Sequence, residues 1–290
     1  MLFRSIIFLP HNFYSNLPQL TEMIYLLLGS DAAAKMFHWC CGVLAALAVF
    51  AVGAKLWSRR IGITAAALFY CLPFVQDLSQ TARIDLATTF FATLAFAAVL
   101  QANDGDRWVW LAGMLTGAAV ATKWTAIPVV LIAASAGILL ARRPVFMFGL
   151  FVVLFVAPWL FKNWLLAGNP IYPLHSASPH WTAEQAATFE RVHYGTAKLK
   201  PLFERAWHYS FKEHGAVPTL LMIAPLAWLV PGNNRLRRAL WLLVVAYVGW
   251  YALTFRPWRF IFPVAPLAAL AGACALDSVA KWSRPAIVAQ

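Results

Sequence analysis

Six ionisable side chains stand where an otherwise apolar chain has little use for charge: Lys123, Lys162, Arg256, Arg259, Asp85 and Glu22. The cations fall at the ends of apolar runs, in Ala121-Thr122-Lys123-Trp124, Phe161-Lys162-Asn163-Trp164 and Arg256-Pro257-Trp258-Arg259. Charges placed there can snorkel, their stems in hydrocarbon and their heads among lipid headgroups. Taken together they offer a second chemistry. Several cations at one membrane face suit a phosphate, whose oxygens accept several charge-assisted hydrogen bonds, and an anionic lipid is the natural counter-charge there. Asp85 opens an apolar run in Thr-Ala-Arg-Ile-Asp-Leu. It reads either as an ion-pair partner of Arg83 or as a group that ligates a metal or holds an acceptor, because charge at membrane depth is costly without a role. Glu22 is a second carboxylate of the same kind.

Other familiar chemistries lack their residues. His175, His180, His193, His208 and His214 are too irregularly spaced for a zinc motif, and Glu204 with His208 reads as a solvated helix face. There is no Ser/His/Asp motif and no glycine-rich phosphate loop, which argues against a nucleotide-driven reaction. Cys40, Cys41, Cys71 and Cys274 all fall inside apolar runs and read as small core residues.

The elements that must position these groups are membrane helices. Charged residues are 12% of the chain and hydrophobic residues 62%, against about 25% charged in soluble domains. The net charge of +12 sits mostly in short clusters between apolar runs, the pattern of cytoplasmic loops rather than of a nucleic-acid surface. The expected fold is all-α: one helical membrane domain over 1–290, with about nine transmembrane helices and some interfacial ones. Apolar runs lie at about 32–54, 61–77, 85–101, 107–122, 125–141, 144–161, 217–231, 238–254 and 259–276. Residues 1–31 read as an interfacial segment, with Asn16 capping a helix and Pro18 in its first turn. The basic clusters fall in alternate loops and mark the cytoplasmic side, which predicts that residues 162–216 form an outer loop.

Lys162–Pro173 is the hinge of that arrangement, because Gly168, Pro170 and Pro173 cannot continue a helix. Inside the loop, Thr182–Gln185 reads as a capping box and 201–213 as a short amphipathic helix. The apolar stretch Ser5–Leu9 is shorter than the ~7–15 residues of a signal-peptide core. An outer N-terminus with an odd number of spans predicts one more helix and an outer loop upstream of Met1.

Five segments in order carry a resemblance: Asn12–Pro18, Arg83-Ile84-Asp85-Leu86, Ala121–Ala126, Lys162–Pro173 and Arg259-Phe260 through Pro263 and Pro266. The series resembles bacterial polytopic glycosyltransferases of the C-type fold, relatives of protein O-mannosyltransferases and of the aminoarabinose transferase that modifies lipid A. The resemblance implies a sugar donor on a polyprenyl phosphate and a lipid, glycan or protein acceptor in the cell envelope, with no nucleic acid. It implies that Lys123, Lys162, Arg256 and Arg259 hold the lipid phosphate beside Asn163, and that Asp85 lines the site. A divalent metal is left open, since some members use one and others do not. The family's catalytic acid lies in the first outer loop, which is largely missing here. Unless Glu22 or Asp85 substitutes, the resemblance implies an inactive fragment. Two alternatives stay open: a transporter or flippase of anionic lipids or glycans, and a non-catalytic membrane component.

Overall fold

The apolar runs become helices. The computed structural model describes residues 18–172, 184, 223–230, 233–254 and 258–282. Its helices are α1 (Leu20–Leu28), α2 (Asp31–Leu56), α3 (Arg59–Tyr70), α4 (Pro73–Ser79), α5 (Asp85–Leu100), α6 (Asp106–Thr122), α7 (Ile132–Leu140), α8 (Val145–Ala167), α9 (Asn234–Leu253) and α10 (Ala265–Trp282). Their starts are written in the sequence. Ser30 and Ser58 each accept a 3.2 Å hydrogen bond from a first-turn N–H, of Ala33 and Ile61, and Asn233 accepts one of 2.9 Å from Leu236. Pro73 opens α4 where it costs no hydrogen bond.

Four helical stretches among the described residues are long and apolar enough to cross a bilayer: α2, α8, α9 and Phe262–Lys281. The pair α3 and α4, bent by 62°, makes a fifth if it is one broken span. The expected nine are not reached on length, because α5, α6 and α7 have 16, 17 and 9 residues. Burial supplies the reason. Most of α5 is buried, among α2, α4, α6, α7 and α10, and a helix walled in by protein need not match a ~30 Å hydrocarbon core. By contrast α8 exposes Phe146, Leu154, Phe161 and Leu165 and lies at the edge. Of the run at 217–231, only Ala224–Leu229 is a described element, a 3-10 helix.

Small residues let the helices close on one another. A Cβ on Gly113 would strike the Phe148 carbonyl of α8, and one on Gly117 would lie 2.9 Å from the Val152 carbonyl, so this Gly-x-x-x-Gly stripe sets the α6–α8 contact. The buried threonines of α5 are satisfied within the helix: Thr88, Thr89 and Thr93 donate to the carbonyls four residues back at 2.8, 2.7 and 2.7 Å.

Position sorts the charges. At the far end of α5, Arg235 grips both carboxylate oxygens of Asp104 at 3.0 Å, and Arg143 meets Asp106 at 3.1 Å. There, too, Lys281 pairs with Asp277 at 2.7 Å. The other end of α5 begins with Asp85. The short helix α1 lies against α2 and α6 and starts at Leu20, one turn later than expected. Leu26, Leu27 and Leu28 face outward, while buried Thr21 hydrogen-bonds Thr122 at 3.2 Å. Asn16 and Leu17, the capping box apart from Glu184, the expected 201–213 helix, the five loop histidines and Arg256 lie outside the described residues.

Candidate active site

Asp85 is the first residue of the central helix, and its partner is Lys123 rather than Arg83. Lys123 follows the last turn of α6, where an extended backbone turns its side chain onto the Asp85 carboxylate. The two side chains are 12% and 5% exposed, so the pair is dry. That matters because a charge shielded from water keeps its full attraction for a partner, whereas an exposed pair is screened.

The ammonium of Lys123 also sits 4.9 Å from the centroid of Phe260, and the guanidinium of exposed Arg259 lies 5.4 Å from the same centroid. Two cations therefore lie against one aromatic ring, within about 10 Å of each other. Arg83 and Arg259 both lie within electrostatic reach of Lys123.

The helix α1 closes this end. Tyr25 donates its hydroxyl to the carbonyl of Arg83 and meets Phe37 edge-on at 5.9 Å. Burial, then the charges of Cys41, Glu22 and Asp85, push the Tyr25 phenol up, so both carboxylates lie within electrostatic reach of this ring. Glu22 itself is pushed up to about 7 by burial. A carboxyl held there is half-protonated near neutrality, the condition that suits a proton-transfer group.

A narrow crevice, too tight to hold a water molecule, lies beside Trp124, the residue after Lys123, and is lined by Pro18, Trp124, Trp159, Asn163, Pro170 and Tyr172 among others. The expected hinge builds one wall. The helix α8 runs to Ala167, Gly168 takes the left-handed conformation at φ 67°, and Asn169 accepts from the Ile171 N–H at 3.0 Å. The chain then folds back, so that buried Asn163 donates to the Tyr172 carbonyl at 3.0 Å. Lys162 lies 5.7 Å from the Trp159 ring, on the α8 wall of this crevice.

Asp85, Lys123 and Arg259 thus come together, with Glu22 on the helix that covers them. Asn163 lines the neighbouring crevice together with Trp124, which follows Lys123, and Lys162 lies near its lining residue Trp159. Among the described residues no three His, Cys, Asp or Glu side chains converge on a point where a metal ion could be held. The Lys123 ammonium takes up one carboxylate oxygen, Oδ1, of Asp85.

Sequence reading missed two contributors. Phe260 is one of several aromatics in its segment, between Trp258 and Phe262, and nothing in the sequence set it apart from them. His38 is fully buried in α2. Its Nδ1 lies 2.7 Å from the Thr81 carbonyl and 3.1 Å from that of Leu78, and its Nε2 lies 3.0 Å from the Leu86 N–H. A histidine in mid-run, in Met36-Phe37-His38-Trp39, was the available clue.

Residues 27–274 match the family described as Domain of unknown function (DUF8201). The chain belongs to that family. The match includes Asp85, Lys123, Lys162, Arg256 and Arg259, while Glu22 lies ahead of it. No curated protein sequence matches the chain. Two crystal structures of ArnT from Cupriavidus metallidurans share its fold. The one bound to undecaprenyl phosphate has a TM-score of 0.62 at 15% identity over 84% of this chain, and the apo state has 0.56 at 14% over 86%. The aligned region spans 46% of each ArnT chain, less than half its length. At that identity the likeness is one of fold: a helical membrane protein arranged as part of ArnT is.

Proposed function

We propose that this chain forms the membrane core of a glycosyltransferase that moves a sugar from a polyprenyl-phosphate donor to a cell-envelope acceptor. The reaction belongs at the outer face of a bacterial inner membrane. One observation carries the reading: on an ArnT-like fold, a dry Asp85–Lys123 pair and the exposed Arg259 meet around Phe260 at one end of the central helix. The ArnT structure bound to undecaprenyl phosphate supports the lipid phosphate as ligand class.

The chemistry follows from the charges. A lipid phosphate is the leaving group, so its charge grows as the glycosidic bond breaks, and fixed cations that meet that charge lower the barrier. Arg259 and Lys123 take that role, with Lys162 as a further cation of the same end and Arg256 a candidate from its place in the sequence. The acceptor hydroxyl must lose a proton as it attacks the anomeric carbon from the opposite side. Asp85 already has its charge held by Lys123, whereas Glu22 sits in a setting that pushes it up to about 7, so Glu22 is the better-matched base in the resting protein.

A second reading has one observation in its favour. The 62° break between α3 and α4 resembles the discontinuous helices that transporters build around their substrates, and a lipid or glycan flippase would use the same cations. One experiment separates the two. The full chain in proteoliposomes is supplied with a radiolabelled polyprenyl-phosphate sugar, and label is followed into envelope acceptors and across the bilayer. Transfer that Lys123→Glu and Arg259→Glu both abolish is expected. Movement of intact donor without transfer would establish the flippase instead, and unchanged turnover in both variants would remove these residues from the site.

A further inference from the structure

The turn that delivers Asp85 spans residues 80–84, and one buried side chain holds both of its ends. At its start, His38 Nδ1 faces the carbonyls of Leu78, just ahead of the turn, and Thr81, inside it; after it, Nε2 faces the N–H of Leu86. Two carbonyls at Nδ1 require a proton there, and an N–H at Nε2 requires a lone pair. The imidazole is therefore neutral, with its proton on Nδ1.

Leu86 is the second residue of α5, where helices need an acceptor for an orphan N–H. The preceding residue that should supply one is Ile84, which has no polar atom, and α5 has no side-chain cap of its own. His38 supplies that acceptor from α2, as Ser30 and Ser58 do locally for α2 and α3. We propose that His38 is a positioning residue: by capping α5 from the neighbouring helix and tethering the turn before it, His38 holds the Asp85 carboxylate against Lys123. Its consequence for catalysis rests on the function proposed above; its consequence for the ion pair does not.

The two amide isosteres divide the ring's roles. Gln places its Oε1 near Nε2 and can accept from Leu86, while Asn reaches only the Nδ1 position and can donate to Thr81. In the full chain in lipid nanodiscs, acylation of the Lys123 amine by an amine-reactive ester is read by peptide mass spectrometry. Wild type and His38→Gln should react at similar, slow rates. His38→Asn should react about fivefold faster or more, the scale that a lost helix cap sets. Equal rates in all three, or a Gln variant as fast as the Asn variant, would overturn the proposal.

A measurement on the unmutated chain guards against misfolded variants. Nitrogen-15 spectra of labelled histidines, with His38 assigned by its loss in His38→Gln or by photochemical editing, should show the neutral Nδ1–H form at neutral pH. An Nε2–H form or an imidazolium would also overturn it. If the labelling pattern holds but no sugar is transferred by wild type, the proposed function falls and the positioning role stands. If transfer is robust and the Asn and Gln variants acylate alike, the reverse holds.

Discussion

Breaking the Asp85–Lys123 pair from one side should cost more than removing it. Asp85→Asn leaves an ammonium beside a neutral amide, and Lys123→Met leaves a carboxylate beside a thioether chain. With side-chain exposures of 5% and 12%, water cannot replace either lost partner. A buried pair broken in this way costs about 3–5 kcal/mol, because the surviving charge stays desolvated. The double variant Asp85→Asn/Lys123→Met buries no charge and should lie within about 1–2 kcal/mol of wild type. Each kcal/mol moves the unfolding midpoint of a chain this size by about 2–4 °C, so the single variants should lose roughly 6–20 °C and the double variant no more than about 8 °C. The 14 tryptophans supply the signal for thermal melts in nanodiscs. Single variants that melt within about 1 °C of wild type would refute the reasoning. So would a double variant no more stable than the weaker single, since the two charges would then not be compensating each other.

Three further outcomes are expected. Asp104→Ala breaks a pair whose side chains are 39% and 41% exposed, and should cost less than about 1 kcal/mol in the same melts, a control for the buried pair. Gly117→Val drives a side chain into the Val152 carbonyl and Phe155 of α8, and should destabilise by about 1–3 kcal/mol or more in those melts. Glu22, pushed from 4.5 to about 7, holds its proton more tightly folded than unfolded. Stability should therefore fall as pH rises from about 4.5 to 7 and level off above, by at most about 2–3 kcal/mol given its partial exposure. Glu22→Gln should flatten that slope; melts of both proteins from pH 4 to 8 would expose an identical slope.

Much of the fold was legible because apolar runs and their punctuation are local. Eight of the nine runs correspond to helices or helix pairs, and the exit at Gly168 lies where glycine and two prolines had marked it. The number of crossings was not legible, since a run of 16 residues reads alike whether lipid or protein surrounds it, and α5 is surrounded by protein. The site was legible in its types and less so in its pairing. Lys123 and Asp85 were both singled out by charge at an apolar boundary, but the nearer Arg83 hid the partnership, which depends on α6 ending beside the start of α5. The bend between α3 and α4 was missed because the run at 61–77 continues through Cys71, Leu72 and Pro73 with no polar interruption. His38 was passed over because its worth lies in three backbone groups brought from 40 or more positions away.

The pair also constrains how a phosphate would be received. Lys123 and Asp85 cancel, so the positive charge offered to a ligand at this end comes first from exposed Arg259 and Arg83. For Lys123 to reach the phosphate, under the proposed function, the ligand must take the place of the Asp85 carboxylate. That is an exchange of one anion for another around a fixed ammonium: the ammonium stays paired, while the displaced Asp85 carboxylate is left without its partner and so is driven to take up a proton. The exchange frees Asp85 only when donor is bound, and a freed carboxylate beside the acceptor can then take its proton. Asp85 would thus be masked in the empty site and uncovered by the substrate itself, with Glu22 the base that needs no such release. The two assignments part company in one variant. Asp85→Asn, lacking the competing anion, should bind undecaprenyl phosphate about tenfold more tightly, the worth of one charge-assisted hydrogen bond, while losing transfer. Weaker lipid binding in that variant, measured by tryptophan quenching on titration, would mean that the carboxylate helps to hold the phosphate's partner in place and is never displaced. Glu22 would then be left as the only carboxylate of the two free to act.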